Sequence, residues 1–520
     1  MPLAPAGRVR ALIFASLAAC TFSHGTEVGP GSATPDAAVA PPDPTIAVWH
    51  DRADAALEAM LVHGWAPNSG YLAAELPANT ALTGYWTFAQ ALDAVEDGVE
   101  RTHGIRFAGW IEGLYLAQDA IGWSRDFYDD ENWMTLALLR AYDLTGDARY
   151  LARAKALYAD IEAAWDTTCC GAHPGGIWWD RPHTQKATAS NAGPVIAGVR
   201  LAARTGDARY LAFAQQVYAY WLTTMVDPST HAVVDHVTSA GAMVHYRFTY
   251  NEGLVIGAAT ELYRATGDPA YLNTAHAVAG HVLAAEAEPT GEGSVLFDGT
   301  NAGCMGDCQQ FKGIAYRYLA ELQETDPRDD YAAVLAASAH AAWDLARGAS
   351  GLFAPDWAGP TVTATSLDAQ SSAAMAIALY ARSLGDDPIV PLSLYEAEDG
   401  VVHAIGLESS HGDFTGWGYL AGWIGDGESV DLHVQVASAG TYQVTLRYAA
   451  AAGAASRVVQ VNGNDVAANL ALPSTGSWDR WSNAAITATL PAGDSTITIG
   501  YDSSKGSTSY VNLDSITVAP

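Results

Sequence analysis

Thr145-Gly-Asp-Ala-Arg-Tyr-Leu151 returns as Thr205-Gly-Asp-Ala-Arg-Tyr-Leu211 and, with two changes, as Thr266-Gly-Asp-Pro-Ala-Tyr-Leu272. The spacings are 60 and 61 residues. Each copy follows an apolar stretch with helical periodicity (LALLRAYDL, VIAGVRLAAR, VIGAATELYRA) and precedes another (ARAKALYADI, AFAQQVYAYWL, NTAHAVAGHVL). The glycine can end one helix in a left-handed conformation, and the aspartate can cap the next. Each copy is therefore read as the turn of a helical hairpin. One repeat is then a hairpin plus a long return loop, and residues 45–385 hold about six of them. Closed into a ring, these predict an (α/α)6 toroid. The alternative is an open helical solenoid, which suits the return loops poorly because they are long, aromatic-rich and unlike one another. Variation confined to one set of loops places the functional site there.

The pattern changes after residue 390. Val430–Val436, Thr441–Tyr448, Arg457–Val461, Ala485–Leu490, Ser495–Tyr501 and Ser515–Val518 alternate apolar and polar residues between Gly, Asn, Asp and Ser turns. Asn462-Gly463 is a hairpin signal. Residues 393–520 are read as an all-β sandwich, jelly-roll-like. Residues 386–392 form a short linker, which predicts that the two domains sit close together.

The N-terminus reads as a targeting segment. Arg8 and Arg10 precede a short apolar run, 11–19, too short to span a bilayer. It ends in Leu17-Ala-Ala-Cys20, which resembles a bacterial lipobox, so residues 1–20 are expected to be a signal peptide with Cys20 lipidated. Residues 21–44, rich in Gly, Pro, Ala, Ser and Thr, read as a flexible tether. The implied location is the cell surface or outer membrane, otherwise secretion, with the membrane met only through the lipid. The other cysteines are Cys169, Cys170, Cys304 and Cys308, an even number that favours disulfides in an exported chain. Their connectivity stays open. With 26 basic and 57 acidic residues, the net charge of −31 excludes nucleic acid and anionic lipid as partners. A monomer acting on a neutral polymer is expected.

Tyr128-Asp-Asp-Glu-Asn-Trp133 is the sharpest chemical feature. Met134, Ala137, Leu138 and Ala141 follow at helical spacing, so the acids open a helix. N-capping needs one aspartate. Two adjacent carboxylates repel, and Trp123, Phe127, Tyr128 and Trp133 crowd them. Desolvation would raise one pKa and leave the other group ionised. Glycoside hydrolysis needs that division between a carboxylic acid and a carboxylate. Three further segments carry aromatics and amides at other return loops: Gly175-Gly-Ile-Trp-Trp-Asp180 with Ser190-Asn191, Phe248-Thr-Tyr-Asn-Glu-Gly253, and Asp307-Cys-Gln-Gln-Phe-Lys-Gly313. Helix starts of this kind suit one rim of a toroid lined for sugar.

Together YDDENW, GGIWW…SN, FTYNEG and QFKGIAYRYL resemble glycoside hydrolase family 76, the bacterial endo-α-1,6-mannanases and related fungal wall proteins. The resemblance implies a retaining mechanism on an α-mannan, with no cofactor for catalysis. It makes Asp129 the nucleophile and Asp130 the acid/base. It makes Tyr128, Trp133, Trp178, Trp179, Asn191, Tyr250, Asn251, Gln310 and Lys312 substrate-binding. Hydrolysis and transfer of mannosyl chains to an acceptor sugar stay open, as do a different glycosidase activity on the same toroid and a non-catalytic glycan-binding lipoprotein. Leu394-Tyr-Glu-Ala-Glu-Asp-Gly400, Gly416-Trp-Gly-Tyr-Leu420, Gly476-Ser-Trp-Asp-Arg-Trp481 and Tyr510-Val-Asn-Leu-Asp-Ser-Ile516 resemble carbohydrate-binding modules of families 6 and 35. That likeness implies a sugar between Tyr419 and Trp478, hydrogen-bonded by Asn512. It also implies a structural Ca2+ on Glu396, Glu398 and Asp514.

Overall fold

The computed structural model describes residues 44–66, 69–298, 306–386, 393–416 and 418–520. The signal segment with Cys20, nearly all of the tether, most of the linker, and Cys304 lie outside the described residues.

Twelve α-helices come first among the described residues: α1 Pro44–Gly64, α2 Tyr85–Arg101, α3 Ala108–Ile121, α4 Tyr128–Thr145, α5 Ala148–Ala163, α6 Thr188–Thr205, α7 Ala208–Met225, α8 Thr249–Thr266, α9 Pro269–Ala285, α10 Cys308–Thr325, α11 Asp329–Ala341 and α12 Leu367–Leu384. The even-numbered helices touch in the cycle α2–α4–α6–α8–α10–α12–α2, and each odd-numbered helix packs outside one of them. That closure makes a toroid and excludes an open solenoid. Burial follows from position. The outer helix α5 buries Tyr150, Ala154, Leu157, Tyr158 and Ile161, one stripe of an amphipathic helix. The inner helix α6 is buried without interruption from Thr188 to Val199. Inner helices meet closely where side chains vanish: a Cβ on Gly253 would lie 2.7 Å from Ala315 Cα, and one on Gly313 2.8 Å from Ser372 Cα.

The repeated phrase does form the hairpin turns. Gly146, Gly206 and Gly267 have φ of 72°, 70° and 72°. Open space surrounds all three, so backbone conformation and not crowding demands glycine there. Asp147, Asp207 and Asp268 then cap α5, α7 and α9 by accepting the amide two residues on. Short turns after the even helices put all their N-termini at one end of the ring, together with the long return loops. Cys169 and Cys170, in the loop before α6, are joined to each other, and Cys308 is also disulfide-bonded.

Residues 394–519 form two antiparallel sheets. Their strands are β1 Leu394–Glu396, β2 Val401–His403, β3 Gly406–Glu408, β4 Tyr419–Ala421, β5 Ser429–Val436, β6 Gly440–Ala449, β7 Ala455–Val461, β8 Asn464–Leu472, β9 Ser482–Leu490, β10 Gly493–Gly500 and β11 Asn512–Ala519. One sheet has the order β3-β4-β11-β6-β9, with β1 also on β11; the other runs β2-β5-β10-β7-β8. Asn462 and Gly463, both at positive φ, turn β7 into β8. Alternate residues of β5 (Val430, Leu432, Val434, Val436) face the core between the sheets. The two domains touch along α3. Phe107 N–H donates to Asp399 Oδ1 at 3.2 Å, and Ile105 packs against the core of the sandwich.

Candidate active site

Asp129 and Asp130 stand in the first turn of α4, at the end of the ring where the inner helices begin. The loop before α6 is zipped onto this turn. Tyr128 N–H donates to Trp179 O at 2.8 Å, and Trp179 N–H to Gln185 O at 2.8 Å. These bonds aim the Trp179 indole so that Nε1 donates to Asp129 Oδ2 at 3.0 Å. The loop is anchored from below by Asn191, whose Oδ1 accepts from Ile177 N–H at 2.8 Å and whose Nδ2 donates to Ala187 O at 2.8 Å. Glu131, fully buried, fixes the other flank by accepting from Arg125 N–H at 2.9 Å and Arg181 at 2.7 Å.

Burial raises both catalytic candidates. Asp129 rises to about 7, opposed by the Trp179 hydrogen bond and by the backbone amides of the helix start. Asp130 rises to about 8, pushed by burial and then by repulsion from Asp129 and Asp307. The two titrate as a pair, so these values describe the pair. The environments still differ in kind. Donors around Asp129 favour its anion, whereas negative neighbours around Asp130 favour its acid form. A carboxylate beside a carboxylic acid can attack an anomeric carbon and protonate a leaving oxygen.

The predicted sugar contacts divide. Trp179 is partly exposed beside the pair, whereas Tyr250 is buried in the core of the ring and stacks on Phe311 with centroids 4.0 Å apart. Tyr250 and Asn251 both donate to Asp235 Oδ2, at 3.1 and 3.2 Å. The remaining expected contacts need correction, because the structure uses them inside the protein. Tyr128 OH is bonded to Arg181. Trp133 lies in the core of the ring. Trp178 stacks on His183 under the Lys186 ammonium. Asn191 and Asn251 are buried in the bonds above. Gln310 accepts from Ser371 Oγ at 2.6 Å. Lys312 donates to Pro355 O at 2.8 Å and lies 3.9 Å from Asp298. These groups build the floor that holds the rim, and their burial leaves them little surface for a ligand.

Two rim carboxylates were not singled out in the sequence, although one of them opens the segment that carries Gln310 and Lys312. Asp307 is exposed just before α10 and accepts from Trp86 Nε1 at 3.3 Å. Asp368, in the first turn of α12, is raised by burial to about 7, with Asp307 adding to the rise. The signal was available: α2 and α12 also start at the rim, so Trp86 and Asp368 follow from extending the helix-start argument to all six inner helices. Asp235 carried no such signal, since only the fold brings its loop beneath Tyr250.

A cavity of about 640 Å3 lies at the opposite end, among the last turns of the inner helices. Arg140, Arg200, Arg204, Arg264, Arg317 and Arg382 line it, each paired with a carboxylate. Its charges are mutually satisfied, so the chemistry belongs to the rim and not to this cavity.

In the sandwich, Tyr419 is fully buried, which corrects its expected role as a stacking face. Its hydroxyl is bonded to Ser410 Oγ and His411 N–H, and Phe414 and Trp481 pack on its ring. Asn512 is buried too. Trp478 and Trp481 remain partly exposed on this edge, and Trp481 Nε1 donates to Gly412 O at 2.9 Å. Glu396, Glu398 and Asp514 converge as the pairing of β1 with β11 requires. Thr415 Oγ1 donates to Glu396 at 2.7 Å and Asp514 at 3.0 Å, and Gly418 N–H donates to Glu398 at 3.1 Å. Arg447 pairs with Asp514. Three acids against one cation leave excess negative charge in a buried corner, and Glu396 rises to about 7 through burial and Asp514.

Residues 48–387 match the model of glycosyl hydrolase family 76, and residues 393–520 that of carbohydrate binding module family 35. The α-1,6-mannanase of Salegentibacter sp. HEL1_6 is similar at 28% identity and a TM-score of 0.59, over 64% of this chain and 99% of that one. An inactive variant of that enzyme, with two consecutive aspartates changed to asparagine, is known in complex with α-1,6-mannotriose. A mannan endo-1,6-alpha-mannosidase of Candida glabrata is 26% identical over 221 residues, 38% of this chain and 47% of its own length. An isomaltosyltransferase of Sporosarcina globispora is 38% identical over 124 residues, 24% of this chain and 11% of its own length. The chain thus spans between about a tenth and a half of these curated relatives.

Proposed function

The chain belongs to glycoside hydrolase family 76, and we propose from that premise that it is an endo-acting, retaining hydrolase of α-1,6-mannosidic bonds in mannan. The observation that carries the reading is the Asp129–Asp130 pair, whose two carboxyls stand in opposed environments at the mouth of the ring. Asp129, stabilised as an anion by the Trp179 indole, attacks the anomeric carbon and forms a glycosyl-enzyme ester. Asp130, kept protonated by burial and by its negative neighbours, gives its proton to the departing oxygen. It then takes a proton from the water that resolves the ester, which restores both groups. Trp179 and Asp307 contact the sugar chain, while Asn191, Tyr250, Asn251, Gln310 and Lys312 hold those contacts in place.

The sandwich is the targeting module. Trp478 and Trp481 stack on pyranose faces, and Glu396, Glu398 and Asp514 hold a structural Ca2+ that pins β1 to β11. Catalysis itself uses no cofactor. The basic and apolar segment ending at Cys20 makes the protein an exported lipoprotein of the cell surface, acting as a monomer at the end of its tether.

Incubation with linear α-1,6-mannan, with products resolved by chromatography, tests the reading. Release of short manno-oligosaccharides is expected, together with its loss in Asp129→Asn and Asp130→Asn at unchanged circular dichroism. Turnover retained by either variant would remove the pair from the mechanism. Product chains longer than the substrate in the presence of an acceptor sugar would replace hydrolysis by transfer.

A further inference from the structure

Glu252, His281 and Glu286 meet at a place that takes no part in the reaction above. Glu252 lies in the first turn of α8, His281 near the end of α9, and Glu286 directly after α9. One ligand atom from each lies within 4.8 Å of the other two. Both glutamates are 2% exposed. Glu252 Oε1 accepts the Val233 amide at 2.7 Å. Glu252 Oε2 and Glu286 Oε2 are buried and have no hydrogen-bond partner. The cations bearing on this corner are committed or distant. Lys312 lies 3.9 Å from Asp298, and Arg247 is a minor influence on Glu286.

Two buried carboxyls side by side require a neutralising partner, either a shared proton or a cation. The imidazole favours the cation. The His281 imidazole brings a ring nitrogen within 4.8 Å of a carboxylate oxygen of each glutamate. A proton-sharing pair has no use for that third donor. Two carboxylate oxygens and one imidazole nitrogen suit a small first-row dication, whereas Ca2+ seeks about 6–8 oxygens.

We propose that Glu252, His281 and Glu286 form a binding site for a first-row divalent cation of the Zn2+ class. The ion would tie the first turn of α8, which carries Tyr250 and Asn251, to the start of the return loop at Glu286. It would thereby stiffen one side of the catalytic rim without touching substrate.

The full chain, stripped with a chelator and desalted, is given ZnCl2. Its metal content is measured after gel filtration and its unfolding followed by calorimetry. The wild type should retain about one equivalent and melt higher with zinc, and His281→Gln and Glu286→Gln should bind at least about tenfold more weakly. Asp514→Asn, which alters the module's own acidic corner, should retain zinc like the wild type. His281 is only half-buried, so its variant remains informative if Glu286→Gln fails to fold. Zinc retained equally by the wild type and His281→Gln overturns the site, as does a wild type that retains none. Absence of zinc in both proteins, with Glu286→Gln melting above the wild type, would show that the two carboxyls share a proton.

Discussion

Asp130→Asn should make the protein more stable while destroying its activity, and the gain should depend on pH. Asp130 sits near 8 in the folded chain against an ordinary 3.8, because burial and two negative neighbours disfavour its charge. At pH 4 the folded carboxyl is protonated and the unfolded one is still about two-fifths protonated, so the group costs little. As pH rises, the unfolded chain ionises and the folded chain does not, so the wild type loses stability. The loss is complete above pH 8, where the folded carboxyl ionises too. Four pH units at about 1.36 kcal/mol each set a ceiling near 5–6 kcal/mol. Coupling to Asp129 and screening of a partly exposed group reduce that to about 1–3 kcal/mol. The expected rise in melting temperature is about 2–6 °C at pH 8 and close to zero at pH 4. Differential scanning calorimetry of both proteins from pH 4 to pH 9 reads this difference directly. A difference that stays flat over that range, or a variant less stable throughout, would refute the idea that the pair is held in a costly environment.

Trp179→Phe removes the donor 3.0 Å from Asp129. A hydrogen bond to a charged group is worth about 1.5–3 kcal/mol, so the acid limb of kcat/KM against pH should move up by about one to two units, and an unmoved limb would dismiss the indole as a tuning group. Trp478→Ala should weaken pull-down on insoluble mannan several-fold while leaving turnover of short oligosaccharides within about twofold, since its half-exposed ring lies on the sandwich and not at the rim. Chelation with EGTA should lower the melting transition of the sandwich and added Ca2+ should restore it, with no response in Asp514→Asn. Gly206→Ala forces a Cβ into the left-handed conformation at φ 70° and should destabilise the helical domain by about 1 kcal/mol, measured by urea unfolding.

The helical hairpins were legible because their determinants are local. A glycine at positive φ and an aspartate accepting the amide two residues on act within one turn of chain, so TGDARYL reads the same in sequence and in space. The strands of the sandwich were legible for the same reason, through alternation and the Asn462-Gly463 turn. The acidic pair could be found because crowding by neighbouring aromatics is also a local fact. Which aromatics and amides face a ligand was not local. Gln310, Asn251, Lys312 and Tyr419 have the composition of ligand contacts, yet each is buried against partners that its own segment does not reveal. Gln310 meets Ser371, Lys312 meets Pro355, and Phe414 and Trp481 close over the Tyr419 ring. Conversely, Trp86, Asp307 and Asp368 reach the rim because six helices start at one end of a closed ring.

Local sequence specifies the elements, their order and the chemistry available at Asp129 and Asp130, since these depend on contacts a few residues apart. Closure of the ring decided the rest. Only when α12 returns to α2 do separate helix starts share one mouth. Only then does Asp307, 177 residues beyond Asp130, help to set its charge. Burial and electrostatic coupling depend on distance through space, and the chain order does not contain that distance.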